Sequence, residues 1–176
     1  MEMNEKHHLQ NGSRRTQATV KGSASEYLVF MLGAEHYAID IRAIQEIRSY
    51  SHVTHIANAP EHIKGIVNLR GVVVPILDLR IRFGNHSPTY NDQTIVIILT
   101  ALDRVMGVVV DAVSDVANIS AEDIMPPPRL GAAASTEYIV GIASQDERML
   151  IVLDIEGVLS DEDTQQLDLA ATENLC

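Results

Sequence analysis

The sequence predicts a mainly β protein, built from two small and related β units in tandem. Three observations carry that prediction. The chain of 176 residues is 46% apolar yet holds only two Phe, five Tyr and no Trp, so its core must rest on Val, Ile and Leu. That β-branched share favours strands. Apolar runs also come in pairs around short turns, the pattern of hairpins. Finally, "IKGIVNLRGVVVPILDL" at 63–79 returns as "YIVGIASQDERMLIVLDI" at a constant offset of 76, with Gly65 matching Gly141, Ile66 Ile142, Leu77 Leu153 and Asp78 Asp154. A fixed offset of this kind marks an internal duplication.

Taken in order, residues 1–25 read as a polar, flexible tail. "EYLVFMLGAEHYAID" is a hairpin, with Leu28 to Leu32 and Tyr37 to Ile41 flanking a Gly33-Ala34-Glu35-His36 turn. Ile41, Ile44 and Ile47 of "IRAIQEIRSY" recur every third residue, a spacing that suits a helical turn without settling it. In "NAPEHIKG" a short helix can begin at Pro60 and stop at Gly65. The hairpin of 63–79 follows. A second pass starts at Thr94 with "TIVIILTALDRVMGVVVDAV", two strands in which Asp111 matches Asp40 across a longer turn. Ser120 and Asp123 offer a capping box, and "PPP" stops any helix. The two units span about 26–90 and 91–159, and 160–176 forms a terminal helix with Ser160 as N-cap and an apolar stripe of Leu167, Ala170, Ala171 and Leu175. A unit of about 60 residues buries only about 60% of its surface. Two such units must lean on each other, and the seam between them is a natural place for a partner.

Composition excludes several function classes. The net charge is −11, with seven acidic and no basic residues after Arg148, so phosphate backbones and anionic lipid surfaces are repelled. The single Cys176 can form no internal disulfide. Apolar runs such as Ile95 to Leu99 fall far short of the ~20 residues that span a bilayer. The N-terminus lacks the apolar core of a secretory signal. A cytoplasmic protein is expected. His52 and His55 lack the further ligands a zinc site needs, so no metal or other cofactor is expected. Asp78 and Asp154, each after an apolar strand, read as turn caps produced by the repeat rather than as an acid/base pair. Phosphate-loop and nucleophile signatures are absent, and nothing supports an enzyme.

What remains is binding. In the second copy the positions of Asn68-Leu69-Arg70-Gly71 read Ser144-Gln145-Asp146-Glu147, a polar turn, so Arg70 sits at an exposed hairpin tip with Leu69 beside it. Arginine and leucine displayed together on a rigid hairpin fit a contact patch. On these grounds alone, a tip arginine without a role stays open. Ile44, Glu46 and Arg48 leave the first hairpin, as Val113 and Val116 leave its counterpart. They face a groove between the copies, or Ile44 and Val116 are plain core.

The motifs "EYLVFMLG", "IQEIR", "IANAP", "IKGIVNLRGVVVPILDLRIRF", "YNDQTIVI", "GVVVDAVSDV", "STEYIVG" and "ERMLIVLDIE", in that order over Glu26 to Ala171, resemble the CheW-like family of bacterial chemotaxis coupling proteins. The resemblance implies two SH3-like five-stranded β-barrels and an adaptor without catalysis. It implies that the chain bridges the cytoplasmic tips of methyl-accepting chemotaxis receptors to the regulatory domain of the histidine kinase CheA, within membrane-associated receptor arrays. By motif, Leu69, Arg70 and Gly71 of "NLRG" are implied in kinase contact, and Ile44, Glu46, Gly65 and Val116 in receptor binding. A hybrid coupler with a receiver domain, or the kinase's own regulatory domain, is disfavoured because the two copies and tails use up the 176 residues.

Overall fold

Strands form where the apolar pairs predict them, and the turns between them are as short as hairpins allow. The computed structural model describes residues 24–128, 137–159 and Asp163. Strands β1 (Ser25–Leu32) and β2 (Glu35–Asp40) pair with Leu32 opposite Glu35, so Gly33 and Ala34 alone make the turn. Strands β6 (Ile95–Ala101) and β7 (Arg104–Val110) close in the same way over Leu102 and Asp103. Both of these residues have positive φ, 52° and 58°, as a tight two-residue hairpin turn requires. The second turn is therefore no longer than the first. The extra length lies in β7, which has seven residues against six in β2, and in Asp111, which follows its strand where Asp40 ends its own.

Three local signals resolve differently in the structure, two of them through strand pairing. Ile41–Ala43 is a 3-10 turn capped by Asp40, but Ile44–Ser49 is strand β3, with Ile47 opposite Ile97 of β6. Pairing with β6 overrides the three-residue spacing of the isoleucines. The stretch after Pro60 makes only a turn, in which the Ile63 N–H donates to the Pro60 carbonyl at 3.0 Å. From Ile63 the chain is taken up by β4 (Ile63–Leu69), which pairs with β5 (Val72–Asp78). The helical turn α1 (Leu79–Arg82) follows. Further on come β8 (Ala112–Ile119), a 3-10 turn at Ala121–Asp123, β9 (Ile124–Met125), β10 (Ile139–Gln145), β11 (Arg148–Leu153) and the turn α2 (Ile155–Val158). Ser120 stands at the N-cap position without a side-chain cap bond, so the capping box does not form. The expected terminal helix of 160–176 lies outside the described residues, apart from Asp163.

The strands make two sheets, ordered β8-β1-β2-β11-β10-β9 and β3-β6-β7-β5-β4. Both copies contribute to both sheets. The first hairpin, β1–β2, joins β8 to β11 of the second copy, while β6–β7 joins β3 to β5 of the first. The joins are parallel, Ile151 beside Tyr37 in one sheet and Leu77 beside Val108 in the other. The expected boundary near residue 90 therefore does not separate the sheets: the copies exchange their leading hairpins. The two-subdomain β fold stands, but neither copy completes a sheet alone. Without the two-residue β9 each sheet has five strands, and in the second sheet a single bridge from Thr54 to Ile66 takes the place of β9.

Three cores result. Val29, Ala38, Leu150 and Val152 fill the first sheet's interior, and Val74, Ile76, Val96 and Ile98 fill the second's. Alternate residues of the same strands, including Leu28, Phe30, Ile39, Leu77, Ile97, Leu99 and Val108, form a third and larger cluster that joins elements of both sheets. The exchanged hairpins are thus buried on both faces. This is why they read as continuous apolar runs rather than as alternating ones.

Candidate partner-binding surface

The β4–β5 hairpin is built to show Arg70. Leu69 and Val72 close its ladder, so the turn is Arg70 and Gly71 alone, at φ of 53° and 85°. The Gly71 N–H donates to Asn68 Oδ1 at 2.9 Å, which fixes the turn locally. Asp146 and Glu147, the twins of Arg70 and Gly71, adopt the same positive φ, 50° and 62°. The duplication thus extends to the turn conformation.

The Arg70 side chain is 78% exposed and donates to Glu46 Oε2 at 2.6 Å. Arg48 lies 3.5 Å from the other carboxylate oxygen. The hydrogen bond from Arg70 holds the Glu46 carboxyl below the usual carboxylate range, against some desolvation and with help from the Arg70 and Arg48 charges. The bridge ties the hairpin tip to strand β3 across the open side of the second sheet. The first sheet carries a counterpart, in which Arg148 of β11 donates to Asp115 of β8 at 3.0 Å through both terminal nitrogens.

The sign of the Glu46 shift makes a prediction. Its folded pKa lies below the unfolded one, so the bridge is complete above the unfolded carboxylate range and is lost as pH falls through the lowered value. Arg70→Ala removes the main cause, so Glu46 should titrate at higher pH. Carboxyl-carbon NMR titration of both proteins measures this, and an unmoved Glu46 midpoint would mean that the bridge does not form in solution.

The other expected site residues fare differently. Leu69 is buried, at 8% exposed, and packs in the second sheet's interior, so it is not displayed beside Arg70. Strand alternation explains this: inward Leu69 shares its face with Val67 and Gly65. The apolar residues shown near the tip are Val72 and Val73, and Ile47 is exposed on β3. Ile44 is half-buried against the large shared core. Val116 is exposed on β8, in the other sheet from Ile44. Gly65 is buried, and a Cβ there would lie 2.0 Å from the Thr54 carbonyl oxygen, so its contribution runs through the backbone crossing it permits. The structure joins Arg70 directly to Glu46, whereas the remaining positions are spread over β3, β4 and β8.

A second charged constellation is structural. Asp78 is fully buried and caps α1, accepting from the Arg80 N–H at 2.9 Å. It also accepts from the Arg80 guanidinium at 2.9 Å and from the Tyr90 hydroxyl at 2.5 Å. Arg80, 3% exposed, reaches on to the Thr89 carbonyl and to Asp111 at 3.1 Å. Asp111 in turn accepts from the Gly33 N–H at 2.6 Å, so one network connects α1 to the turn of the exchanged hairpin. Burial works against the Arg80 charge, but Asp78 and then Asp111 outweigh it and keep the guanidinium protonated. Burial and the Asp78 bond push the Tyr90 hydroxyl pKa upward. Asp154, the twin of Asp78, only caps α2 through the Glu156 N–H. Sequence reading found the caps but not the network, because Arg80, Tyr90 and Asp111 lie in different segments. Among the described residues, no group of three or more His, Cys, Asp or Glu is placed to hold a metal ion. No helix among them is long and apolar enough to cross a membrane.

Comparison with known proteins places the chain. The CheW-like domain family matches residues 26–163. The chemotaxis protein CheW of Klebsiella aerogenes is 50% identical over 146 residues, covering 83% of this chain and 88% of that protein. The CheW of Treponema pallidum is 34% identical, over 88% of this chain and 93% of its own length. Among solved structures, the scaffolding protein TtCheW of Thermoanaerobacter tengcongensis superposes with a TM-score of 0.73 at 33% identity, covering 80% of this chain and 95% of that one. A matched family over most of the length, a half-identical relative and a shared two-subdomain β fold lead to one conclusion: the chain belongs to the CheW-like family, as a non-catalytic coupling scaffold of chemotaxis signalling.

Proposed function

We propose that the chain couples methyl-accepting chemotaxis receptors to the histidine kinase CheA. The hairpin tip of Leu69, Arg70 and Gly71 faces the kinase regulatory domain, with Arg70 as its charged contact and buried Leu69 as support. Glu46, with Ile44, Gly65 and Val116, serves the receptor tip, where an apolar helix face is the matching partner chemistry. The protein works in the cytoplasm and reaches the membrane only through receptor arrays. The observation that supports this reading is the 2.6 Å bridge between exposed Arg70 and Glu46, one residue from each implied set. Holding both partners at one place raises their effective concentration for each other.

The test measures binding of Arg70→Ala and Glu46→Ala to the purified kinase regulatory domain and to receptor fragments. Arg70→Ala is expected to weaken kinase binding by about 2 kcal/mol, the scale of a central arginine, while largely sparing the receptor. Glu46→Ala is expected to do the reverse. Equal losses toward both partners would reject separate roles and leave the bridge as a purely structural clasp.

A further inference from the structure

The two sheets are built alike but closed differently, and the difference leaves a hole. In the first sheet, β8 sends Ala117 and Ile119, each 3% exposed, into the interior, and β9 pairs with β10 over Ala143 and Ile142. In the second sheet the corresponding strand, β3, has no fully buried residue, and where β9 would be there is only the Thr54–Ile66 bridge, with Val53 packed part-buried against the core. A cleft of about 150 Å³ opens there between β3 and β4. Its floor is Ile76, Val96 and Ile98, at 1%, 5% and 1% exposed, and Val67 points inward along one wall. Above that aliphatic floor the mouth is polar, with Ser49, Ser51, His52, Thr54 and Asn68 around it, and a void of this order is enough for a small apolar group entering past a polar rim.

The rim has a charge preference. Arg48 lines the cleft, and Arg70 follows its other wall at the end of β4. These two guanidiniums share one carboxylate, Glu46, at 3.5 and 2.6 Å. On a chain of net charge −11 this is a local cationic spot beside a cleft with an apolar floor. An aliphatic side chain next to an acidic one satisfies both features, the first replacing the plug that β3 lacks.

We propose that the cleft receives one aliphatic side chain from the kinase segment that docks at the hairpin tip, a segment with a carboxylate beside that side chain to meet Arg48 and Arg70. The proposal rests on the reading of the tip as the kinase-facing surface. Filling the hole from within tests it. Val67→Phe is expected to leave thermal stability unchanged or higher while weakening binding to the purified kinase regulatory domain at least tenfold, with receptor-fragment binding kept within twofold. Kinase binding within twofold of wild type would overturn the cleft. Arg70→Ala, measured alongside, separates the two readings. If it weakens kinase binding and Val67→Phe does not, the cleft alone fails; if neither does, the kinase-facing tip fails with it. Should Val67→Phe not fold, methyl NMR of the unaltered protein decides. The Ile76, Val96 and Ile98 methyl signals shift on adding the kinase domain if a side chain enters, and unmoved signals in a bound complex overturn the proposal.

Discussion

Asp78→Ala is expected to cost about 3–5 kcal/mol of folding stability, the usual scale for removing one partner of a buried ion pair. The carboxylate is fully buried and gathers the Arg80 backbone, the Arg80 guanidinium and the Tyr90 hydroxyl. Its removal leaves a guanidinium that is 3% exposed, with only Asp111 and the Thr89 carbonyl as polar partners among these contacts. The guanidinium also stacks on the Tyr90 ring, 4.7 Å from its centre, so the loop bearing Tyr90 loses two anchors together. Asp154→Ala is the internal control. That twin only caps α2, and its loss is expected to cost about 1 kcal/mol. Urea denaturation of both variants measures the contrast. Equal midpoints would show that the buried network contributes no more than a helix cap. A folded Asp78→Ala of wild-type stability would reopen the acid/base reading of the paired aspartates.

The second large effect belongs to Gly65. Its φ is 143°, and a Cβ would stand 2.0 Å from the Thr54 carbonyl oxygen, 2.7 Å from its carbon and 2.9 Å from Val53 Cγ1. Two of these atoms are backbone, so no rotamer change relieves the clash. Gly65→Ala must push the Thr54 segment off β4, break the bridge to Ile66 and strain φ as well. A loss of about 3 kcal/mol or more is expected. Gly33 provides the comparison. It also has positive φ, 62°, but a Cβ there meets nothing within 4 Å, so Gly33→Ala is expected to cost only about 1 kcal/mol. Thermal or chemical denaturation ranks the two, and a Gly65→Ala no weaker than Gly33→Ala would contradict the close crossing. A Cβ on Gly141, the twin, would stand 2.4 Å from the Met125 carbonyl oxygen, so the close approach recurs in both copies. A loss of receptor binding on replacing Gly65 would therefore have a cause inside the fold, before any partner touches it.

Much of this was legible in the residues. The offset of 76 located both hairpins and the exposed turn at Arg70, because a duplicated strand pair keeps its register and its two-residue turn. Asp78 and Asp154 were readable as caps because a cap acts within two residues. Errors arose wherever a residue's neighbour came from far along the chain. Ile44–Ser49 becomes a strand because β6, fifty residues on, offers it an edge. Leu69 turns inward because the second sheet's interior lies on that side of β4.

Local pattern thus settled the class of fold, the repeat, the turns and the caps, since period-two alternation and turn chemistry act over a few residues. The exchange of hairpins, the Arg70–Glu46 bridge, the buried Arg80 network and the cleft beside β3 belong to the tertiary structure alone. Each joins residues from separate segments, Glu46 to Arg70 across 24 positions and Gly33 to Asp111 across 78. Such contacts depend on which strand finds which edge, a choice made by the burial of both faces of the exchanged hairpins together.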